Sequence, residues 1–141
     1  MKSLRNNQVQ NLIYALIQVF HNYGAASIVG LAIYGLVATR GGPRPGLGLV
    51  LAMAWAIQGI SGASFGLATY YFHHQLPDIY GVAIAALLIK IACVVLGFLI
   101  AASYVIWSKR LSLAAGHFIW IGLTALGVIA LNAAAFLRWF S

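Results

Sequence analysis

The sequence predicts an all-α integral membrane protein, a bundle of four antiparallel transmembrane helices, and three observations carry that prediction. Of its 141 residues, 63% are hydrophobic and only 6% are charged, whereas a soluble domain carries roughly 25% charged residues. Mean hydropathy is +0.96. Four apolar runs, each longer than the about 20 residues that cross hydrocarbon, are separated by short polar breaks. Spans and breaks use up the length, so residues 1–141 are expected to form a single transmembrane domain.

The first span is expected over about 12–38 and holds three polar residues, Gln18, His21 and Asn22. It stops at Thr39-Arg40-Gly41-Gly42-Pro43-Arg44-Pro45, where paired glycines and prolines end a helix. The basic, polar start from Met1 to Gln10 has no small-residue cleavage site. The run behind it outlasts a signal-peptide core of about 7 to 15 residues, so it reads as a retained span. The second span, 47–72, closes at His73-His74-Gln75-Leu76-Pro77-Asp78, which is too polar for hydrocarbon and holds a proline favouring a turn. The third covers 80–107, before Ser108-Lys109-Arg110, and the fourth covers 113–137, before Arg138 and Trp139. Short connections make neighbours antiparallel. Both termini and the loop after the second helix therefore share one side, side A, and the other two loops share side B. Tyr70, Tyr71, Phe72, Tyr80, Trp107, Trp139 and Phe140 fall near predicted ends, where rings contact both lipid and water.

A net charge of +7 comes from eight Lys and Arg against one acid, Asp78. In a membrane protein such an excess faces phospholipid headgroups, and nucleic acid is not an expected partner. Side A carries Lys2, Arg5 and Arg138, side B carries Arg40, Arg44, Lys109 and Arg110, and Lys90 lies inside a helix. The positive-inside rule then puts side B in the cytoplasm and both termini outside, in what is expected to be a bacterial inner membrane. Cys93, the single cysteine, allows no intrachain disulfide and reads as a small core residue. Gly59, Gly62 and Gly66 with Ser61, Ala63 and Ser64 make a face without bulk, as do Gly24, Ser27 and Gly30, so other helices can approach closely. Further copies of the chain or a larger membrane complex are the expected partners, besides lipid.

Ionisable residues deep in a span cost about 2.5 to 3.5 kcal/mol each on insertion scales and need a partner or a purpose. His21 and Lys90 are the two deep candidates, both near ~15 Å from side A. Ser61 and Ser64 of the second helix reach the same layer, Gln58 lies a turn nearer side B, and Asn132 of the fourth helix lies a little above it. These side chains either satisfy one another or face a guest. Haem is the guest that suits them best: imidazole binds iron, a porphyrin is apolar, and a lysine pairs with a propionate or serves as a second donor. His21, Lys90, Ser61, Ser64 and Asn132 are therefore the candidate cofactor-binding residues. His73 and His74 are a second candidate metal pair at a helix end, and His117 lies near side B. No phosphate-loop motif, no C-x-x-C and no pair of carboxylates is present, which argues against common soluble-enzyme chemistry and against carboxylate-based proton pumping.

Phe20-His21 followed by Gly30, the segment Gln58-Gly59-Ile60-Ser61-Gly62, and Leu88-Ile89-Lys90-Ile91 give the chain a layout that resembles a superfamily of small haem-linked membrane proteins. It includes the four-helix bacterial protoporphyrinogen oxidases of the HemJ type and the CopD-like copper resistance domains. The resemblance spans most of the chain and implies that His21 and Lys90 are the functional positions. Two family positions differ: Ile28 stands where a tryptophan is usual, and Leu99 and Ile100 where a histidine is usual. The resulting expectation is a small cytochrome-like protein that binds b-type haem, with His21 as iron ligand, and takes part in membrane electron transfer. An electron carrier or complex subunit is expected rather than a stand-alone enzyme, with oxidase activity the resemblance's own implication. The alternatives are a cofactor-free accessory subunit of a larger membrane complex and, third, copper handling through His21, His73 and His74.

Overall fold

The computed structural model describes residues 2–75 and 79–140. They form α1 (Lys2–Ala38), α2 (Pro45–His73), α3 (Val82–Trp107) and α4 (Leu113–Phe140). All four are long and apolar enough to cross a membrane. This is the expected all-α bundle with shifted edges. α1 begins ten residues before the apolar run, because Lys, Leu, Arg and Gln are good helix formers and a helix need not stop where the hydrocarbon stops. Pro45 opens α2, a position where its missing N–H costs nothing. Gly81, at φ +52°, delays α3 to Val82. The expected turn at Leu76, Pro77 and Asp78 lies outside the described residues.

The described connections are short and tied down. A single 3-10 turn over Thr39–Gly41 follows α1, and Gly42 takes a φ of 134° that a side chain would resist. Arg44 Nε donates to the Ala38 carbonyl at 2.8 Å, and the Arg44 N–H donates to the Tyr104 hydroxyl at 3.2 Å. α2 ends on His74 in the left-handed region (φ 53°), whose N–H donates to Tyr70 O at 2.9 Å.

Each helix packs antiparallel against the next, and α1 meets α4 to close the ring through the smallest interface of the four neighbouring pairs. Lipid supplies little hydrophobic drive between helices, so van der Waals fit has to hold them. In the half nearer side B, that fit is aromatic rings laid on glycines. Trp55 of α2 covers Gly97 of α3, Trp120 of α4 covers Gly35 of α1, and Tyr104 of α3 covers Gly48 of α2. Tyr104 and Trp120 meet edge to face, 5.3 Å between centroids at 77°. Trp55, Trp120, Tyr104, Leu51 and Leu123 are all fully buried, so this half is filled. Toward side A the buried residues are small, Ala83, Ala86 and Ala133, and the interior there holds polar groups. Leu12, Ile60, Leu67, Ile106 and Phe118 are exposed, as an outer surface dissolved in lipid requires.

Candidate functional site: a histidine and a lysine inside the bundle

Helical spacing aims the polar residues inward. On α1 the buried positions His21, Gly24, Ile28, Ala32 and Gly35 recur every three or four residues, and Thr39 in the turn that follows continues them. On α2 Gln58 and Ser61 continue the stripe that begins with Leu51 and Trp55. On α3 Lys90 falls in the middle of the stripe Ala83, Ala86, Cys93, Gly97, Ala101 and Tyr104. Three helices thereby deliver four polar side chains to one point.

His21 is the hub, with 9% of its surface exposed. Its Nδ1 lies 2.9 Å from Ser61 Oγ, and its Nε2 lies 2.9 Å from Lys90 Nζ and 3.0 Å from Gln58 Nε2. Phe65 meets the ring edge to face at 5.6 Å. The two bonds of Ser61 are linked to the tautomer: when its single hydroxyl proton goes to the Gln58 backbone carbonyl at 3.2 Å, its oxygen accepts from Nδ1–H. Nε2 then carries the lone pair, and it points at Lys90 and Gln58. Two N–H donors converge on one acceptor, while Gln58 Oε1 is buried without a partner. A Cβ on Gly24 would come within 2.8 Å of that oxygen, so the glycine makes room for the amide. Donors outnumber acceptors around Nε2, and Lys90 is the surplus donor because Gln58 alone satisfies the imidazole.

The structure brings together His21, Lys90 and Ser61, as the sequence predicts. It adds Gln58, whose longer side chain bridges the turn that separates it from that layer. Ser64 and Asn132 are not brought to the cluster. Ser64 Oγ donates to Ile60 O at 2.8 Å in its own helix, a common resting place for a helical serine. Asn132 donates to Val128 O at 2.9 Å and is exposed, because it follows the helix about 100° away from the buried Ala133. His73 bonds Gln10 at 3.0 Å, and His74 forms the helix cap; neither approaches His21. Cys93 is a buried free thiol, as the core reading requires. Among the described residues no group of three or more His, Cys, Asp or Glu converges as a metal site.

The donor set is an imidazole, hydrogen-bonded at both ring nitrogens, beside a primary amine, both of them groups that can ligate iron when freed. The lone pair an iron would take is the one that Lys90 and Gln58 now share, so ligation means their withdrawal, which four flexible methylenes allow Lys90. Lys90 is only part-buried although it lies mid-stripe. The sequence holds one side-chain carboxylate, Asp78, which lies outside the described residues. No described residue therefore offers Lys90 a counter-ion in the low-dielectric interior. Comparison with known proteins finds no matching family model, no matching curated protein and no matching solved structure.

Proposed function

We propose that this protein is a small membrane cytochrome-like subunit that binds b-type haem in the side-A half of its bundle and takes part in membrane electron transfer. The observation that carries the reading is the meeting of Lys90 Nζ and His21 Nε2 at 2.9 Å on the inward faces of two helices. A surplus cation to which no described residue offers a carboxylate, and an imidazole lone pair turned to the interior, are what an iron porphyrin with acidic side chains needs. Bound there, haem supplies one-electron chemistry. The chain's own residues do the holding: His21 donates its Nε2 lone pair, Ser61 fixes the ring through Nδ1–H, and Lys90 compensates a propionate. The resemblance of the sequence layout to the HemJ-type and CopD-like proteins points to the same two positions. We further place both termini on the non-cytoplasmic side of a bacterial inner membrane, following the excess of positive charge on side B.

A reduced-minus-oxidised absorption spectrum of protein purified from its native membrane tests this reading. A Soret shift with resolved α and β bands is expected. An ordinary protein spectrum contradicts it and favours an accessory subunit without cofactor. A specific observation supports that second reading. A Cβ added at Gly30, Gly66 or Gly122 would meet nothing within 4 Å, so each leaves room for the close approach of a neighbouring subunit.

A further inference from the structure

The loops after α1 and after α3, both on side B, meet at the start of α4 and leave a small half-open notch of about 10 Å³ between them. Thr39 and Gly42 wall it from the first loop, Tyr104 and Ser108 from the end of α3, and Ser112 and Leu113 from the opening turn of α4. That volume admits one oxygen-sized group. Ser108 is 2% exposed, and its hydroxyl is buried with no hydrogen-bond partner. A buried hydroxyl left unpaired is costly, and native proteins seldom keep one without a use. Both loops follow membrane-spanning helices, so the notch lies at headgroup depth.

What the notch lacks is an acceptor. Tyr104 receives the Arg44 N–H at 3.2 Å and Ser112 Oγ receives the Ala115 N–H at 3.2 Å, so each keeps a hydroxyl proton that no described bond uses. The carbonyls of Thr39 and Ser108 already accept from the N–H groups of Gly42 and Leu111. The Gly116 N–H closes on the Ser112 carbonyl at 2.9 Å, which leaves the Leu113 N–H free at the positive end of a 28-residue helix. Arg40 and Arg44 in one loop and Lys109 and Arg110 in the other are all exposed, and the sequence puts no Asp or Glu in either loop. We infer that the notch is a phosphate site: one phosphate oxygen enters to accept from the Ser108 and Tyr104 hydroxyls, and the rest stays at the mouth, against the α4 N-terminus and the basic loops. A phospholipid headgroup and free phosphate share that chemistry. The site is independent of any guest at His21.

The test uses the full-length protein in phosphate-free maltoside micelles with three probes: phosphatidylglycerol, diacylglycerol with the same acyl chains, and inorganic phosphate. Phosphatidylglycerol is expected to raise Tm where diacylglycerol does not. Ser108→Ala should melt no lower than wild type in the lipid-free micelle, since it removes an unpaired hydroxyl, yet should lose most of the phosphatidylglycerol shift. Arg40→Gln with Lys109→Gln changes only exposed side chains and should raise the lipid concentration for half the shift about tenfold, whereas Arg138→Gln on side A should leave it unchanged. The same Ser108-dependent shift from inorganic phosphate assigns the site to free phosphate, and a shift from the lipid alone assigns it to a headgroup. Phosphatidylglycerol and diacylglycerol acting alike, or no shift from either phosphate source, would overturn the site. So would a Ser108→Ala protein that keeps the full shift, or one that melts lower by the same amount in every medium, which is the mark of a structural water in the notch.

Discussion

Replacing Lys90 by methionine is expected to stabilise the ligand-free protein and to abolish its hold on an acidic guest. The first effect follows from hydrogen-bond bookkeeping. His21 Nε2 has one lone pair and two donors, and Gln58 Nε2 at 3.0 Å remains when Lys90 is gone. No polar group is orphaned by the change, and methionine matches the lysine stem in length and flexibility. A desolvated cation is removed, and insertion scales put its cost at about 2.5 to 3.5 kcal/mol, so a gain of about 2 kcal/mol is expected. Thermal unfolding in nanodiscs reads this as a higher Tm. The second effect, lost affinity for haemin or a fatty carboxylate, follows from the missing positive charge. A fall in Tm for Lys90→Met would mean that the lysine is structural, and the argument for a guest would lose its main support. Such a residue, costly to the fold and dispensable to its neighbours, is characteristic of a site kept for function.

Gly97→Ala and Gly35→Ala are expected to be the most damaging single methyl additions in the chain. At Gly97 a Cβ would fall inside the Trp55 indole, and at Gly35 inside that of Trp120. Both indoles are fully buried, so neither has free space to turn into. Relief requires the helices to separate, and overpacking of this kind costs about 1 to 3 kcal/mol, occasionally more. Because α1 meets α4 through the smallest interface, Gly35→Ala should loosen that pair first. Gly30→Ala, where a Cβ meets nothing within 4 Å, serves as the matched control and should leave stability within about 0.5 kcal/mol of wild type. Equal melting of all three variants would contradict the ring-on-glycine account of the core.

The fold was legible because lipid simplifies the problem. A backbone in hydrocarbon must be helical or a closed barrel, so four long apolar runs and their Gly, Pro and Arg breaks suffice to place four helices. What hydropathy could not place was the start of α1, since the residues after Lys2 are polar yet still helical. Of the site, depth alone located His21, Lys90 and Ser61, because helix rise converts sequence position into height. Depth carries no azimuth. Asn132 has a suitable height and the wrong face, and Ser64 satisfies itself within its own turn. Gln58 stands out in the sequence by its polarity but counts as a turn away from this layer, for side-chain reach is not visible in a residue count. The glycines mattered for a reason only coordinates reveal: Gly35, Gly48 and Gly97 receive aromatic rings, whereas Gly30 and Gly66 face outward.

The central claim is that His21 turns over to a guest inside the bundle the Nε2 lone pair that Lys90 and Gln58 share in the ligand-free protein. Its most direct test is titration of ferric haem into the apo protein in nanodiscs, with His21→Ala alongside. A sharpened Soret band that saturates at one haem per chain in the wild type, and is absent from the folded His21→Ala protein, is the predicted result. A band that rises without saturating, or that is the same in both proteins, would contradict it.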